Sequence, residues 1–206
     1  MYDWDWRAAE HKFQYDSRFN PHGVDTFSCY LHYKDALRGT DDAARTVPNL
    51  LARDPLSAWM NHELACVSYY ARRYQMAVEQ FSRTIKVSPD FQIAYANAGR
   101  TFVQLQRYPE ALNALQQGLN IDPNSTMMLA ELAYARAAAG DSQDARKTLK
   151  QLDTIAKDRY VDPVPIALLY FRLGERNTGF AYLERGYAER SSLMPWLNRS
   201  TWRFRR

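Results

Sequence analysis

The sequence predicts an all-α fold, a right-handed α-solenoid of stacked helix–turn–helix repeats. The first observation is a small residue that recurs every 34 positions through the 206-residue chain. A proline behind Asn, Asp or Ser recurs at the same interval, and so does a bulky apolar residue four positions after the small one. The three series are Ala9, Ala43, Ala77, Ala111, Ala145 and Gly179; Pro21, Pro55, Pro89 and Pro123; and Phe13, Val47, Phe81, Leu115, Leu149 and Leu183.

These series have physical roles in a helix pair. A proline just past the last helical turn cannot continue the helix, and the short polar side chain before it satisfies loose backbone groups. A fourth series of small residues lies in the first helix of each pair, where two helices cross closely and a larger side chain would separate them. Its members are Ala65, Gly99, Ala133 and Ala167.

This register organises residues 1–190 as a single array. We expect a leading helix over residues 1–21 that lacks a partner helix, followed by five helix pairs and a basic, aromatic tail or cap over residues 191–206. The pairs are expected at about 24–57, 58–91, 92–125, 126–159 and 160–190.

Three positions depart from the regular pattern. Pro48 falls inside the second helix of the first pair, where it predicts a kink or a shortened helix. Lys157 replaces the closing proline of the fourth pair and predicts a longer connection. Asp162, followed by Pro163, predicts an N-cap and a first-turn proline at the start of the fifth pair.

Composition favours an ordinary folded protein, with 46% hydrophobic and 24% charged residues. No stretch near 20 apolar residues is present, so we expect no membrane span. The acidic, aromatic start is unlike a signal peptide, and a cytoplasmic location is the resulting expectation. Cys29 and Cys66 are expected to be reduced residues on helices of different pairs.

The net charge of +4 is concentrated at the C-terminus. One interpretation is that the arginines and aromatics of this tail contact nucleic acid or an acidic surface. The interpretation we favour is a cap, in which Trp196 and Trp202 cover the last helix pair while the arginines remain in water. The arginines are Arg190, Arg199, Arg203, Arg205 and Arg206.

The repeat markers resemble those of the tetratricopeptide repeat (TPR) family, most clearly in Ala94–Gly99 followed by Tyr108–Ala111. Other stretches resemble a narrower group, the C-terminal TPR region of bacterial multidomain regulators such as winged-helix transcriptional regulators, cyclases and kinases. This resemblance implies a region that senses or docks a partner, either as a protein in its own right or as a fragment of a larger regulator. The stretches are Tyr2–Trp6 with Ala8–Glu10, and Tyr160–Pro163 with Tyr182–Tyr187 and Trp196–Leu197.

The family resemblance also implies where a ligand binds. First helices line the concave side of such an array, and five positions of each repeat face the ligand. We therefore expect a non-catalytic scaffold that binds a peptide or protein segment, extended or helical and apolar, in a bacterial signalling or transcription-regulatory context. The implied groove residues are Trp59, His62, Cys66, Tyr69, Tyr70, Ile93, Ala96, Arg100, Val103, Gln104, Met127, Ala130 and Tyr134.

His62–Cys66 partly matches the zinc-protease helix, in which two histidines four apart hold the metal beside a glutamate base. Here the fifth residue is Cys66, no third ligand is apparent, and packing in a solenoid explains the segment. His11, His22 and His32 have no partner at useful spacing. We therefore expect no enzymatic activity, no metal and no cofactor, with metal-dependent hydrolysis around His62 and Glu63 as the alternative.

The leading helix carries Trp4, Trp6 and Phe13. An unpaired helix with aromatic residues on its packing face requires a neighbour. Our hypothesis is self-association through this N-terminal edge; an upstream domain or another protein is the alternative neighbour.

Overall fold

The computed structural model describes residues 7, 8, 11, 12, 15, 55–194 and 197. The described residues near the N-terminus are helical and exposed. Pro48, Cys29, His22 and His32 lie outside the described residues, as do the edge residues Trp4, Trp6 and Phe13 and nearly all of the tail after Met194. The predictions made for them stay predictions.

Residues 55–194 form helices joined by short connections and contain no strand, which confirms the predicted all-α solenoid. First and second helices alternate along the chain. They are α1 (Ala58–Tyr70), α2 (Tyr74–Val87), α3 (Gln92–Gln104), α4 (Tyr108–Ile121), α5 (Thr126–Ala138), α6 (Ser142–Ile155), α7 (Pro163–Arg172) and α8 (Arg176–Ala188).

The small residues allow the two helices of a pair to approach closely. Ala65, Ala133 and Ala167 have no exposed surface. At Gly99 of α3, a methyl group would lie 2.5 Å from Leu115 Cγ of α4, so a larger residue would push the helices apart. The sequence marker therefore corresponds to a close crossing inside the pair.

Side-chain caps begin three of the first helices. Ser57, Ser125 and Asp162 accept hydrogen bonds from the backbone N–H of Met60, Met128 and Val164, at 3.2, 3.5 and 2.9 Å. Pro163 occupies the first turn of α7, as predicted, where its missing N–H leaves no bond unmade.

A residue with a left-handed backbone lies two positions after the last residue of each first helix. These residues are again 34 apart: Arg72, Gln106, Gly140 and Gly174, with φ of 60°, 59°, 92° and 84°. The next amide then donates back to the helix, for example from Arg73 to the Ser68 carbonyl at 2.8 Å. This closing motif satisfies carbonyls at the helix end and turns the chain into the second helix.

The first helices form the inner side of the stack. Each of α1, α3 and α5 packs against the next first helix, whereas α2 and α4 pack between their own partner and the following first helix. In a curved array the inner elements are the closer ones, so the surface shared by α1, α3 and α5 is the concave face.

The last junction departs from this arrangement. The close contact that α2 makes with α3, and α4 with α5, is missing between α6 and α7, although α7 still packs on α5 as the earlier first helices pack on one another. The chain after α8 is tied back to this region, since the Ser191 hydroxyl lies 2.9 and 2.8 Å from the two carboxylate oxygens of Asp162.

Candidate binding face

All thirteen residues of the predicted ligand-facing set lie on the three inner helices. The structure gives them different exposures: six are buried, six are half-buried and one, Met127, is exposed. They are Trp59, His62, Cys66, Tyr69 and Tyr70 on α1; Ile93, Ala96, Arg100, Val103 and Gln104 on α3; and Met127, Ala130 and Tyr134 on α5. Their assignment to ligand binding stays a prediction.

His62 is packed between helices. Its side chain is 3% exposed and its ring lies 5.3 Å from the Phe91 ring and 5.8 Å from the Trp59 ring, measured between centroids. Its Nε2 is 3.0 Å from the side-chain nitrogen Nδ2 of Asn97, which lies on α3 of the next pair. In this conformation the ring joins α1 to α3 and is closed to a ligand.

Arg100 and Glu131 form a largely buried ion pair across the inner face. The Arg100 Nε and Nη2 groups both donate to Glu131 Oε1, the first over 3.1 Å. Their side chains are 18% and 4% exposed. Burial alone would lower the pKa of the Arg100 guanidinium, but the Glu131 carboxylate outweighs burial and raises it. Arg100 is therefore charged and held in one orientation.

Aromatic side chains flank this ion pair on both sides. Tyr69 and Tyr70 contact each other edge to face, with centroids 5.4 Å apart. Tyr134 follows on α5, where burial raises the pKa of its phenol despite the opposing effect of Arg172. A shallow cleft of about 10 Å³, the space of one water, lies between α1 and α3. Its lining is Cys66, Tyr69, Tyr70, Phe81, Asn97 and Arg100.

The structure thus brings four predicted residues, Cys66, Tyr69, Tyr70 and Arg100, together at one cleft. Ile93, Gln104 and Met127 lie on the same helices but do not line that cleft. Glu131, which fixes Arg100, was missed by sequence reasoning. The repeat register could have indicated it. Glu131 follows Arg100 by 31 positions, and in the preceding repeat Asn97 follows Cys66 by the same 31 positions and contacts its sulfur at 3.8 Å.

The partial protease motif is packed as part of α1. Glu63 is 1% exposed, and its Oε1 lies 3.5 Å from His62 Nδ1. The Cys66 sulfur lies 3.6 Å from His62 Nε2. Among the described residues no group of three or more His, Cys, Asp and Glu side chains is placed to hold a metal. In the same part of the chain, no helix has the length and apolar character that crossing a membrane requires.

Comparisons with known proteins agree with the repeat pattern. Sequence models described as tetratricopeptide repeat match residues 62–126 and 102–162. An 85-residue segment is 28% identical to the small glutamine-rich tetratricopeptide repeat-containing protein 2 of Saccharomyces cerevisiae. That segment covers 41% of this chain but spans only 25% of the yeast protein.

Two solved structures share the fold over most of the chain. A thermophilic TPR protein of Thermus thermophilus superposes with a TM-score of 0.67 at 18% identity, covering 84% of this chain and 93% of that one. PilW, described as a widely conserved type IV pilus biogenesis factor, gives the same TM-score and identity, covering 94% and 91%. At this identity the likeness concerns the fold.

Proposed function

Because this chain belongs to the tetratricopeptide repeat family, whose typical members are non-catalytic protein-interaction scaffolds, we propose that it binds a peptide or protein segment on the inner face of α1, α3 and α5. The proposal includes a role in signalling or transcription regulation in the bacterial cytoplasm. The resemblance of Tyr160–Pro163 and Tyr182–Tyr187 to bacterial regulators supports this part of the proposal.

The observation that carries the proposal is the oriented Arg100 guanidinium beside Tyr70. Glu131 uses two of the five N–H donors of Arg100, and the side chain keeps 18% of its surface exposed. The remaining donors suit a backbone carbonyl or a carboxylate of a ligand. Tyr70 offers a half-buried aromatic surface next to it for an apolar side chain.

The ion pair also makes this site rigid. A guanidinium whose orientation is already fixed loses little side-chain entropy when a ligand binds, so more of the contact energy remains as affinity. The cleft is too small for an isolated ligand of drug size. A segment that lies along the face and touches the cleft with one group is the better fit.

The test is affinity capture from lysate with quantitative mass spectrometry, comparing the wild-type chain with Tyr70→Ser and Arg100→Lys. The lysine retains the charge next to Glu131 but loses the planar fork. We expect captured partners to fall by at least about fivefold in both variants, corresponding to a lost charge-assisted or aromatic contact.

The matched control is Tyr187→Ser on α8, which removes an exposed tyrosine away from the inner face. Circular dichroism melts establish that each variant is folded. If Tyr70→Ser and Arg100→Lys capture the same partners in the same amounts as Tyr187→Ser, the inner-face proposal is wrong.

A further inference from the structure

The connection between α6 and α7 is longer than the equivalent ones. Residues 156–162 join these helices, whereas residues 88–91 join α2 to α3 and residues 122–125 join α4 to α5. The extra residues go with the missing contact between α6 and α7. A cavity of about 230 Å³ lies at this point, bordered by α6, the connection, α7 and α8.

The inner part of the cavity is apolar. Leu152 of α6 and Ile166 of α7 are 1% and 3% exposed, and Val161 and Tyr182 complete this surface. Pockets that hold drug-sized ligands begin at about 300 Å³. The cavity is smaller, so it suits a single large side chain anchored by its flanking residues.

Charged side chains line the rim of the cavity, namely Arg159, Arg185 and one acid, Asp153. Arg185 donates to Glu189 at 2.6 Å. The exposed Arg159 side chain makes no hydrogen bond or ion pair within residues 55–194. A carboxylate next to the anchored side chain would give Arg159 its counter-charge.

The N-terminal segment of the chain has this chemistry. Tyr2–Trp6 alternates aromatic residues with Asp3 and Asp5, so each tryptophan has a carboxylate beside it. The C-terminal segment has tryptophans too, but it carries arginines and no acid after Arg190, and like charge at Arg159 disfavours it.

We propose that the α6–α7 cavity is a docking site for Tyr2–Trp6 of a second copy of this chain. One tryptophan enters the apolar cavity and the neighbouring aspartate pairs with Arg159. Stacked repeats separate elements according to their distance in sequence, so we assign the segment to another copy rather than to the same chain. The contact is head-to-tail and distinct from the inner face of α1, α3 and α5.

The first experiment uses an acetylated, amidated peptide of residues 2–6 as the probe, titrated into the isotope-labelled full-length chain and followed by NMR. We expect shifts confined to residues 152–166 and 182–185. A charge-reversed peptide with Lys in place of Asp3 and Asp5 should bind at least about fivefold more weakly. Equal binding of both peptides, or shifts confined to the inner face, would overturn the proposal.

Variants of the full-length chain test the cavity itself. Ala156→Phe fills it from an exposed position and should weaken peptide binding at least about tenfold. Arg159→Glu should weaken it about fivefold or more. Arg83→Glu, an exposed arginine on α2, is the matched control and should stay within about twofold of wild type.

Sedimentation velocity of the full-length chain tests the occupant. Arg159→Glu should shift the equilibrium towards monomer, and adding Asp5→Arg to the same chain should restore association by reversing both charges. A wild-type chain that stays monomeric at millimolar concentration, or an Arg159→Glu chain that associates as wild type does, would overturn the assignment to a second copy. Tighter peptide binding by Trp196→Ser or Trp202→Ser would also overturn it. Such a result would mean that the C-terminal segment occupies the cavity in the wild-type chain and competes with the peptide.

Discussion

The junction between the α3–α4 and α5–α6 pairs is tightly packed at Gly118, although a surface pocket of about 300 Å³ borders α4 and α5. The junction between the α5–α6 and α7–α8 pairs lacks the close contact between α6 and α7. We call the first the closed junction and the second the open junction. In the closed junction, Gly118 of α4 leaves so little space that a methyl group would collide with the end of Met128 and lie 3.0 Å from Tyr95 Cβ. The residue 34 positions later is Leu152, which borders the α6–α7 cavity.

The inner face shows the same contrast. Arg100 pairs with Glu131 across the closed junction. The corresponding positions of the open junction hold Tyr134 and Pro165, which cannot form an ion pair. One helix-pair unit is therefore joined in two ways, and the side chains at the junction decide which surfaces are closed and which remain open to a partner.

The largest expected effect at a junction comes from breaking the ion pair of the closed junction. Glu131→Ala leaves the Arg100 charge largely buried without its partner, and we expect a loss of about 3 kcal/mol in the free energy of unfolding. Pro165→Ala, at the equivalent position of the open junction, should cost below about 1 kcal/mol. Urea unfolding followed by circular dichroism measures both; equal losses would contradict the contrast between the junctions.

Gly118→Leu gives the closed junction the leucine that the open junction has at the equivalent position, Leu152. The added side chain must displace Met128 and approach Tyr95, and we expect a loss of about 2–3 kcal/mol. The same urea unfolding is the measurement. A variant as stable as the wild type would show that α4 and α5 separate freely, so that the closed junction is not closed by packing.

Leu152→Ala should cost about 2 kcal/mol, at the lower end for a buried leucine, because one side of Leu152 already faces the cavity and has fewer contacts to lose. Leu115→Ala is the comparison, since Leu115 is fully buried at the centre of its pair. It should cost about 3–4 kcal/mol. A larger loss at Leu152 than at Leu115 would mean that the junction is packed like a pair interior.

The smallest effects test the assumption that the pairs themselves are alike. Gly140→Ala introduces a side chain at a φ of 92°, which we expect to cost about 1 kcal/mol. Gln106→Gly, at a φ of 59° in the preceding pair, should gain about 0.5 kcal/mol. Thermal melts of the two variants should move in opposite directions; movement in the same direction would show that the turns are not equivalent.

These contrasts also show where prediction from the sequence succeeds. The close crossing at Gly99, the helix stops before Pro89 and Pro123 and the cap by Asp162 depend on neighbours in the chain or on the repeat period, so the sequence contains them. The predicted groove residues lie on α1, α3 and α5 for the same reason, and their role in ligand binding stays a prediction. The turn residues Arg72 and Gln106 were missed because they occupy a left-handed backbone conformation that glycine usually marks.

The sequence by itself determined the class of protein: a 34-residue period of small, bulky and turn residues builds helix pairs that must stack on one another. Only the tertiary structure decided that His62 is closed between helices, that Glu131 orients Arg100 and that a cavity lies between α6 and α7. The physical reason is that the period specifies contacts inside each repeat. Contacts between repeats depend on the size and charge of side chains that meet only after the helices have packed.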